Sequence, residues 1–441
     1  MEILKFDLSK KQEKMKILNA TNGGPWHKRH ATDQWRSNFK DYKAARIPFS
    51  RNHDSALSGS TYGGPYSHDI TNIFPNFDAD VNDPASYDFP CTDEAILVAL
   101  DAGTETFFRL GQSIEHQIKK HGTLPPKNFY KWAQICEHII RHYNEGWADG
   151  YHLNIQYWEI WNEPDLDADD SKNKRCWGGT AAQFCEMYAI TAKHLKACFP
   201  NLKIGGPALA NSKPGATWIQ NFLAYMREHE VPIDFFSWHV YLTEPQKVAE
   251  RAVWIRENLD AYGYTDAESI LNEWNYVKDW REHFCYSIQM IHGAKGGALI
   301  GAVMATAQRG PIDMLMYYDT RPSAFNGVFD YYTYEPLHGY YPMYWYGMFY
   351  DTEAEVVAET PVENIYPLCA VDAEGKVTAM ITYYSDNDDA PVKRIKLDFG
   401  QSAEYEVYLA DPDHKGKLIA VTRDLSFDLK VHSVLFVKQK A

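Results

Sequence analysis

Two short stretches of this chain hold glutamates in a setting suited to breaking a bond between sugars. The first is Trp158-Glu-Ile-Trp-Asn-Glu163-Pro-Asp and the second is Ile270-Leu-Asn-Glu273-Trp-Asn. Each reads as an apolar strand that ends in Asn and Glu, and Pro164 stops further ladder pairing after the first. Two glutamates at two strand ends can meet over one bond although 110 positions (163 to 273) separate them. Cleaving a glycosidic bond takes such a pair, one to protonate the leaving oxygen and one to attack the anomeric carbon. The attacker has to stay ionised while its partner stays protonated near neutral pH, so their surroundings must push the two pKa values apart. A lone glutamate at a strand end is usually just solvated or ion-paired. Two of them, each beside an Asn and a Trp, carry the reading. Glu159 lies inside its strand and is expected to point into the fold or outward rather than into a cleft.

Positioning these groups needs strands whose ends share one face. From residue 16 to 345, short apolar runs alternate with helical patterns, the mark of βαβ units. The predicted strands are Lys16-Ile-Leu-Asn-Ala, Arg46-Ile-Pro-Phe-Ser-Arg51, Thr104–Leu110, Ile155–Trp161, Lys203-Ile-Gly-Gly-Pro, Ile233–His239, Ser269–Glu273 and Met314–Tyr318. Helices are predicted through Trp35 and Tyr42, around Asp93–Ala102, over Asn128–Tyr143, near 180–198, 216–228 and 247–261, and as one long helix near 284–307. A loop rich in Gly, Ser, Asn and Pro fills 54 to 90. Eight strands with intervening helices make a closed barrel the economical arrangement, although an open doubly wound sheet gives a similar local pattern. Such barrels place their reacting groups at the C-terminal ends of the strands.

Beyond residue 350 the texture changes to short strand-like runs, among them Val377–Tyr383, Arg394–Phe399, Tyr405–Leu409 and Ser433–Val437, split by turns such as Asp386-Asn-Asp-Asp. The expected organisation is therefore an α/β fold: a (β/α)8 TIM barrel over 16–348 and a β-sandwich over 349–441 that residues 1–12 can join. The run Gly339-Tyr-Tyr-Pro-Met-Tyr-Trp-Tyr has helical spacing and reads as the last helix, packing the barrel on the sandwich.

The two glutamate motifs resemble those of the retaining (β/α)8 glycosidases, and most of all glycoside hydrolase family 39, the family of β-xylosidases and α-L-iduronidases. The likeness runs through Trp132, Gly205-Gly-Pro and Asp234-Phe-Phe-Ser-Trp-His-Val-Tyr241, covering roughly residues 20 to 345. It implies that Glu163 is the acid/base, Glu273 the nucleophile and Asn162 the partner of the sugar 2-hydroxyl. Arg51 and His53 match the family's Arg-x-His pattern, Arg51 keeping the nucleophile ionised and His53 binding the glycone. His239 and Tyr241 would line the same subsite, with Tyr241 bonded to Glu273. Trp26, Trp274 and Tyr318 are expected platforms for stacking on sugar faces. Three places depart from the family: Asn272 stands where Thr or Ser is expected, Asp54 where Gly is common, and the segment from Tyr317 to Ser323 lacks an acidic pair of the xylosidases. A β-xyloside leads as substrate, with α-L-arabinosides and β-glucosides as alternatives and a catalytically silent sugar binder as the reading from another class.

Other chemistries find little support. The chain of 441 residues is 45% hydrophobic and 23% charged, with a net charge of −15 and no basic cluster that would suit nucleic acid. His27 and His30 are three apart, and His53 and His239 end strands, but no HExxH or carboxylate-rich metal pattern goes with them, so neither metal nor cofactor is expected. There is no GxSxG elbow and no phosphate-binding loop. Seven cysteines without a CxxC pair fit reduced thiols, and with no apolar leader or membrane span the chain reads as cytoplasmic. The oligomeric state stays open, homo-oligomers being frequent among relatives of the clan.

Overall fold

The computed structural model of the chain describes residues 1–25, 38–54, 66–321 and 323–440. After β1 (Glu2–Lys11), eight strands follow as β2 (Ile17–Asn22), β3 (Phe49–Arg51), β4 (Glu105–Leu110), β5 (Tyr157–Ile160), β6 (Lys203–Leu209), β7 (Phe235–Leu242), β8 (Glu268–Tyr276) and β9 (Met314–Tyr318). All eight are parallel to their neighbours, and β9 pairs back onto β2, so the sheet closes into a barrel rather than opening into a doubly wound sheet. The helices outside it are α1 (Phe39–Ala44), α2 (Ile70–Ile73), α3 (Pro90–Asp101), α4 (Phe129–Glu145), α5 (Ala181–Cys198), α6 (Thr217–Glu228), α7 (Gln246–Ala261), α8 (Phe284–His292), α9 (Ala294–Gln308) and α10 (Tyr340–Met348).

Local signals account for the helix ends. The Asn128 side chain accepts the Lys131 amide at the start of α4, and Gly146 at φ 77° ends that helix. Thr180 and Gln183 form a capping box on α5. The long helix expected over 284–307 is instead two, because Gly293 takes an extended conformation (φ −100°, ψ −173°) between α8 and α9. The second strand is also shorter than expected. Arg46 follows α1 with φ 52°, and Pro48 offers no amide hydrogen, so pairing starts only at Phe49. Of the helix expected through Trp35 and Tyr42, Tyr42 lies on α1 and Trp35 is outside the described residues.

Inside the barrel the strands alternate, so every second residue faces the axis. One layer is apolar: Ala20, Phe107, Tyr157, Phe235, Ile270 and Met314 form a compact cluster. Two residues further along these strands come Asn22, Arg109, Glu159, Ser237 and Asn272, all buried. An apolar plug thus supports a polar layer, and the strand ends lie beyond it.

The rest of the chain forms one curled, mostly antiparallel sheet consistent with a C-terminal β-sandwich. It contains β1, β10 (Ala354–Ala358), β11 (Ile365–Val371), β12 (Val377–Tyr383), β13 (Lys393–Asp398), β14 (Tyr405–Asp411), β15 (His414–Thr422), β16 (Ser426–Leu429) and β17 (Ser433–Gln439), in the order β15-β14-β17-β12-β11-β10-β1-β13-β16. Val407, Leu435, Val437 and Ile395 fill its own interior. Met380, Ala410 and Phe436 face the other way and join the core of the barrel. There the Trp345 ring of α10 lies flat on Phe436, with centroids 5.4 Å apart and planes within 4°. No helix among the described residues is long and apolar enough to cross a membrane.

Candidate active site

Glu163 sits just past β5, on a backbone bent sharply out of the ladder. Trp161 has φ 76° and Glu163 φ 48°, left-handed conformations that a non-glycine residue keeps only where its surroundings impose them. The Glu163 amide donates to the carbonyl of Ala208, itself at φ 56° after β6. This close approach depends on glycine: a Cβ on Gly205 would lie 2.2 Å from the Phe235 carbonyl oxygen, and one on Gly206 would lie 2.8 Å from that of Ile160.

Glu273 reaches the cleft by a different device. Pairing between β7 and β8 runs regularly to Trp238↔Leu271 and resumes at His239↔Glu273, skipping Asn272. This irregularity breaks the strict alternation of sides, as a bulge does next to many active sites. Asn272 and Glu273 therefore both face the interior: Asn272 Nδ2 donates to Glu159 Oε1 (2.5 Å), and Glu273 meets Tyr241. Trp274 is turned outward, fully buried edge-to-face against Tyr317 at 5.3 Å. The expectation that Trp274 is a stacking platform is corrected here, because its ring belongs to the barrel–helix core.

An oxygen from each of Glu163 and Glu273 and Nδ1 of His239 lie within 4.8 Å of one another. His239 Nδ1 is 2.8 Å from Glu163 Oε1 and 3.7 Å from Glu273 Oε2. Tyr241 donates its hydroxyl hydrogen to Glu273 Oε1 at 2.7 Å, while Asn22 Nδ2 and an Arg51 amino group each approach Oε2 at 3.3 Å. Arg51 divides its fork three ways. Nε donates to Glu159 Oε2 (2.7 Å), Nη1 faces Glu273, and Nη2 donates to Asn162 Oδ1 (2.6 Å). Glu159 also accepts from Ser237 (2.6 Å), so it is a buried anchor under the site and not a competitor for the cleft.

Burial pushes Glu163 up to about 7, against the pull of Arg51, and a nearby Asp54 adds to the rise. Glu273 is also raised by burial, but His239, Arg51 and the Tyr241 hydrogen bond oppose the rise. Glu163 is therefore suited to carry a proton near neutrality, and Glu273 has the donors that stabilise an anion. His239 is pushed down by burial and is neutral at pH 7. Glu163, His239 and Glu273 have the donor types that hold a cation, as do Glu137, His194 and Cys198 between α4 and α5. In the cleft those atoms already bond one another, and burial favours a proton on the carboxyls over a bare ligand.

His53 ends β3 with its ring buried, Nε2 lying 3.3 Å from Asp54 Oδ1. Tyr318 closes the eighth strand beside Phe325 at 5.6 Å, its hydroxyl accepting from Arg321 at 3.2 Å. Trp26, like His27 and His30, lies outside the described residues. The sequence reading did not include Asn22, Ser237, Arg321 or Cys176, whose thiol sits 3.9 Å from Glu163 Oε2. The inward period of β2 and β7 was the available signal for Asn22 and Ser237. Arg321 and Cys176 come from loops and carried none.

A closed barrel with two glutamates facing each other at its strand ends is the arrangement that two-carboxylate (β/α)8 glycoside hydrolases use. Residues 66–279, which include both glutamates, match the profile of Glycosyl hydrolases family 39. A β-xylosidase from Geobacillus stearothermophilus is 30% identical over 149 residues, 33% of this chain; the match spans 25% of that relative's length. Among solved structures, a glucosidase from Croceicoccus marinus superposes with a TM-score of 0.79 at 23% identity, covering 100% of this chain and 99% of the other. A monomeric β-xylosidase from Caulobacter crescentus gives a TM-score of 0.70 at 14% identity over 100% and 99% of the two chains. At these identities the structural likeness speaks for the fold.

Proposed function

We propose that the protein is a retaining glycoside hydrolase that removes terminal sugars from short plant-type oligosaccharides, β-xylosides first among them. The carrying observation is the pair Glu163 and Glu273, with an oxygen of each inside a 4.8 Å group. Retention goes with carboxyl groups about 5–5.5 Å apart, whereas inversion leaves about 6.5–9.5 Å for a water. In this reading Glu273 attacks the anomeric carbon as Glu163 protonates the leaving oxygen, and a covalent glycosyl-enzyme forms. Glu163, now ionised, takes a proton from water, which attacks the same carbon and releases Glu273. Asn162, held by Arg51, faces the sugar 2-hydroxyl, and His53, His239 and Tyr241 complete the glycone side. The catalytic unit is 16–348, with the sandwich of 349–441 and the first 12 residues as its companion. The unpaired state of the cysteines fits action in the cytoplasm on imported oligosaccharides.

The test is turnover of aryl β-xylosides, α-L-arabinosides and β-glucosides by wild type, Glu163→Ala and Glu273→Ala, with azide added. Retention predicts a glycosyl azide of the substrate's configuration from Glu163→Ala and of inverted configuration from Glu273→Ala. Net inversion by the wild type would reject the mechanism.

A further inference from the structure

We propose that Asp54, with His53 and Arg321, forms an anionic glycone-selecting corner that accepts a hydroxyl-bearing neutral sugar and excludes a uronic acid. The inference rests on the glycosidase reading and specifies the sugar it takes.

Asp54, three residues past the end of β3, has φ 53°, a left-handed conformation that favours glycine and costs an ordinary side chain free energy. Aspartate is among the residues that tolerate it, but nothing local requires a carboxylate there. The Asp54 carbonyl accepts from Arg321, so the backbone is pinned and the side chain projects from a fixed point. Its Oδ1 is buried 3.3 Å from His53 Nε2 and, among the described residues, neither it nor Nδ1 of the buried His53 has a hydrogen-bond partner. A buried acceptor and a buried ring nitrogen left open on neighbouring residues match a ligand's hydroxyl groups.

Charge decides what kind of ligand fits. Among the described residues Arg321 is the cation bonded in this corner, and its Nη2 donates both to Asp319 at 3.0 Å and to the Tyr318 hydroxyl. His53 is held neutral by burial and by Arg51, Arg109 and Arg321, so it does not offset Asp54. The charged groups around the corner are then Asp54, Asp319, Asp69 and the two glutamates against Arg321, Arg51 and Arg109. The charge of Asp54 is felt by Glu163, Tyr318 and Tyr66. A sugar hydroxyl can donate to Oδ1 there, whereas a uronate carboxylate would meet a like charge.

The test compares wild type, Asp54→Asn and Asp54→Gly on aryl β-xyloside, α-L-arabinoside, β-glucoside and β-glucuronide. Calorimetric binding of the matching phenyl thioglycosides, which are not turned over, runs alongside. Wild type is expected to prefer its best neutral glycone over the uronide by at least about 100-fold in kcat/KM. Both variants should lose about tenfold or more on the neutral sugar through KM and thioglycoside affinity, and narrow the gap to the uronide. Asp54→Gly should melt at or above the wild-type temperature, which separates lost binding from lost fold. The basic limb of the pH profile should move down in both, since a charge that raises Glu163 is gone. Unchanged KM, affinity and pH limb in Asp54→Asn would overturn this proposal while leaving the glycosidase reading intact. Neither turnover nor binding of any neutral glycoside by wild type would overturn both.

Discussion

His239 Nδ1 lies 2.8 Å from Glu163 and 3.7 Å from Glu273, a neutral ring wedged between two carboxyls. Without a positive charge, the ring does not draw the proton from Glu163, and burial outweighs the pull of Arg51. The basic limb of kcat/KM is therefore expected near pH 7, where Glu163 loses its proton. A pH–rate profile on an aryl glycoside with a poor leaving group reads it directly. A basic limb below pH 5.5 would remove Glu163 from the role of acid.

The same raised carboxyl has a consequence for stability. In the folded protein Glu163 holds its proton up to about 7, against an ordinary value of 4.5. Between those values the folded state binds more protons than the unfolded one, so stability falls as pH rises through the window. Glu163→Gln removes the titration. Its melting temperature should match the wild type below pH 4.5 and exceed it increasingly toward pH 7, as measured by calorimetry across that range.

Arg51 feeds three acceptors from one buried fork, on β5, just past its end and on β8. Lysine cannot reproduce that geometry, and a shorter reach leaves Glu159 or Glu273 buried and unpaired. Arg51→Lys is expected to cost roughly 3–5 kcal/mol in urea unfolding, the usual range for a broken buried pair. Activity should fall as well, because Asn162 and Glu273 both lose their anchor.

Tyr241→Phe leaves the ring in place and removes one hydrogen bond to Glu273, the proposed nucleophile. A bond to a charged group is worth roughly 1.5–3 kcal/mol, which corresponds to about 10–100-fold in rate. We expect the loss chiefly in kcat, with the melting temperature little changed. A pre-steady-state burst with aryl glycosides would show whether attack or hydrolysis of the glycosyl-enzyme slows.

Trp345→Ala tests the joint between barrel and sheet. Removing a buried ring stacked on Phe436 should cost about 3–5 kcal/mol. If the two parts unfold together, guanidinium melts should stay in one transition at lower midpoint. A split into two transitions would show that the stacked pair couples them.

Much of this arrangement is legible in the sequence because the strongest signals are local. The alternation of βαβ units, the helix caps at Asn128 and Thr180 and the Pro164 stop each act within a few residues. Glu163 and Glu273 stand out for the same reason, since their motifs are contiguous. What escapes is set by the third dimension. Trp274 neighbours the nucleophile in sequence yet faces the core, because the irregular pairing at Asn272 shifts the alternation by one. Asn272 looks like a departure from the family until its amide is seen on Glu159, 113 positions away. Arg321 lies in a loop without a motif, and only closure of β9 onto β2 brings it to Asp54.

The first strand has a consequence for how the chain comes into being. Its Phe6 lies opposite Ala358 and its Leu4 beside Leu397, so its ten residues are zipped between two strands from the far end of the polypeptide. On a ribosome, where the beginning emerges first, this segment stays an unsatisfied edge while every barrel strand is made. Its partners appear only after the whole barrel, so a segment made before the barrel finds its place after it.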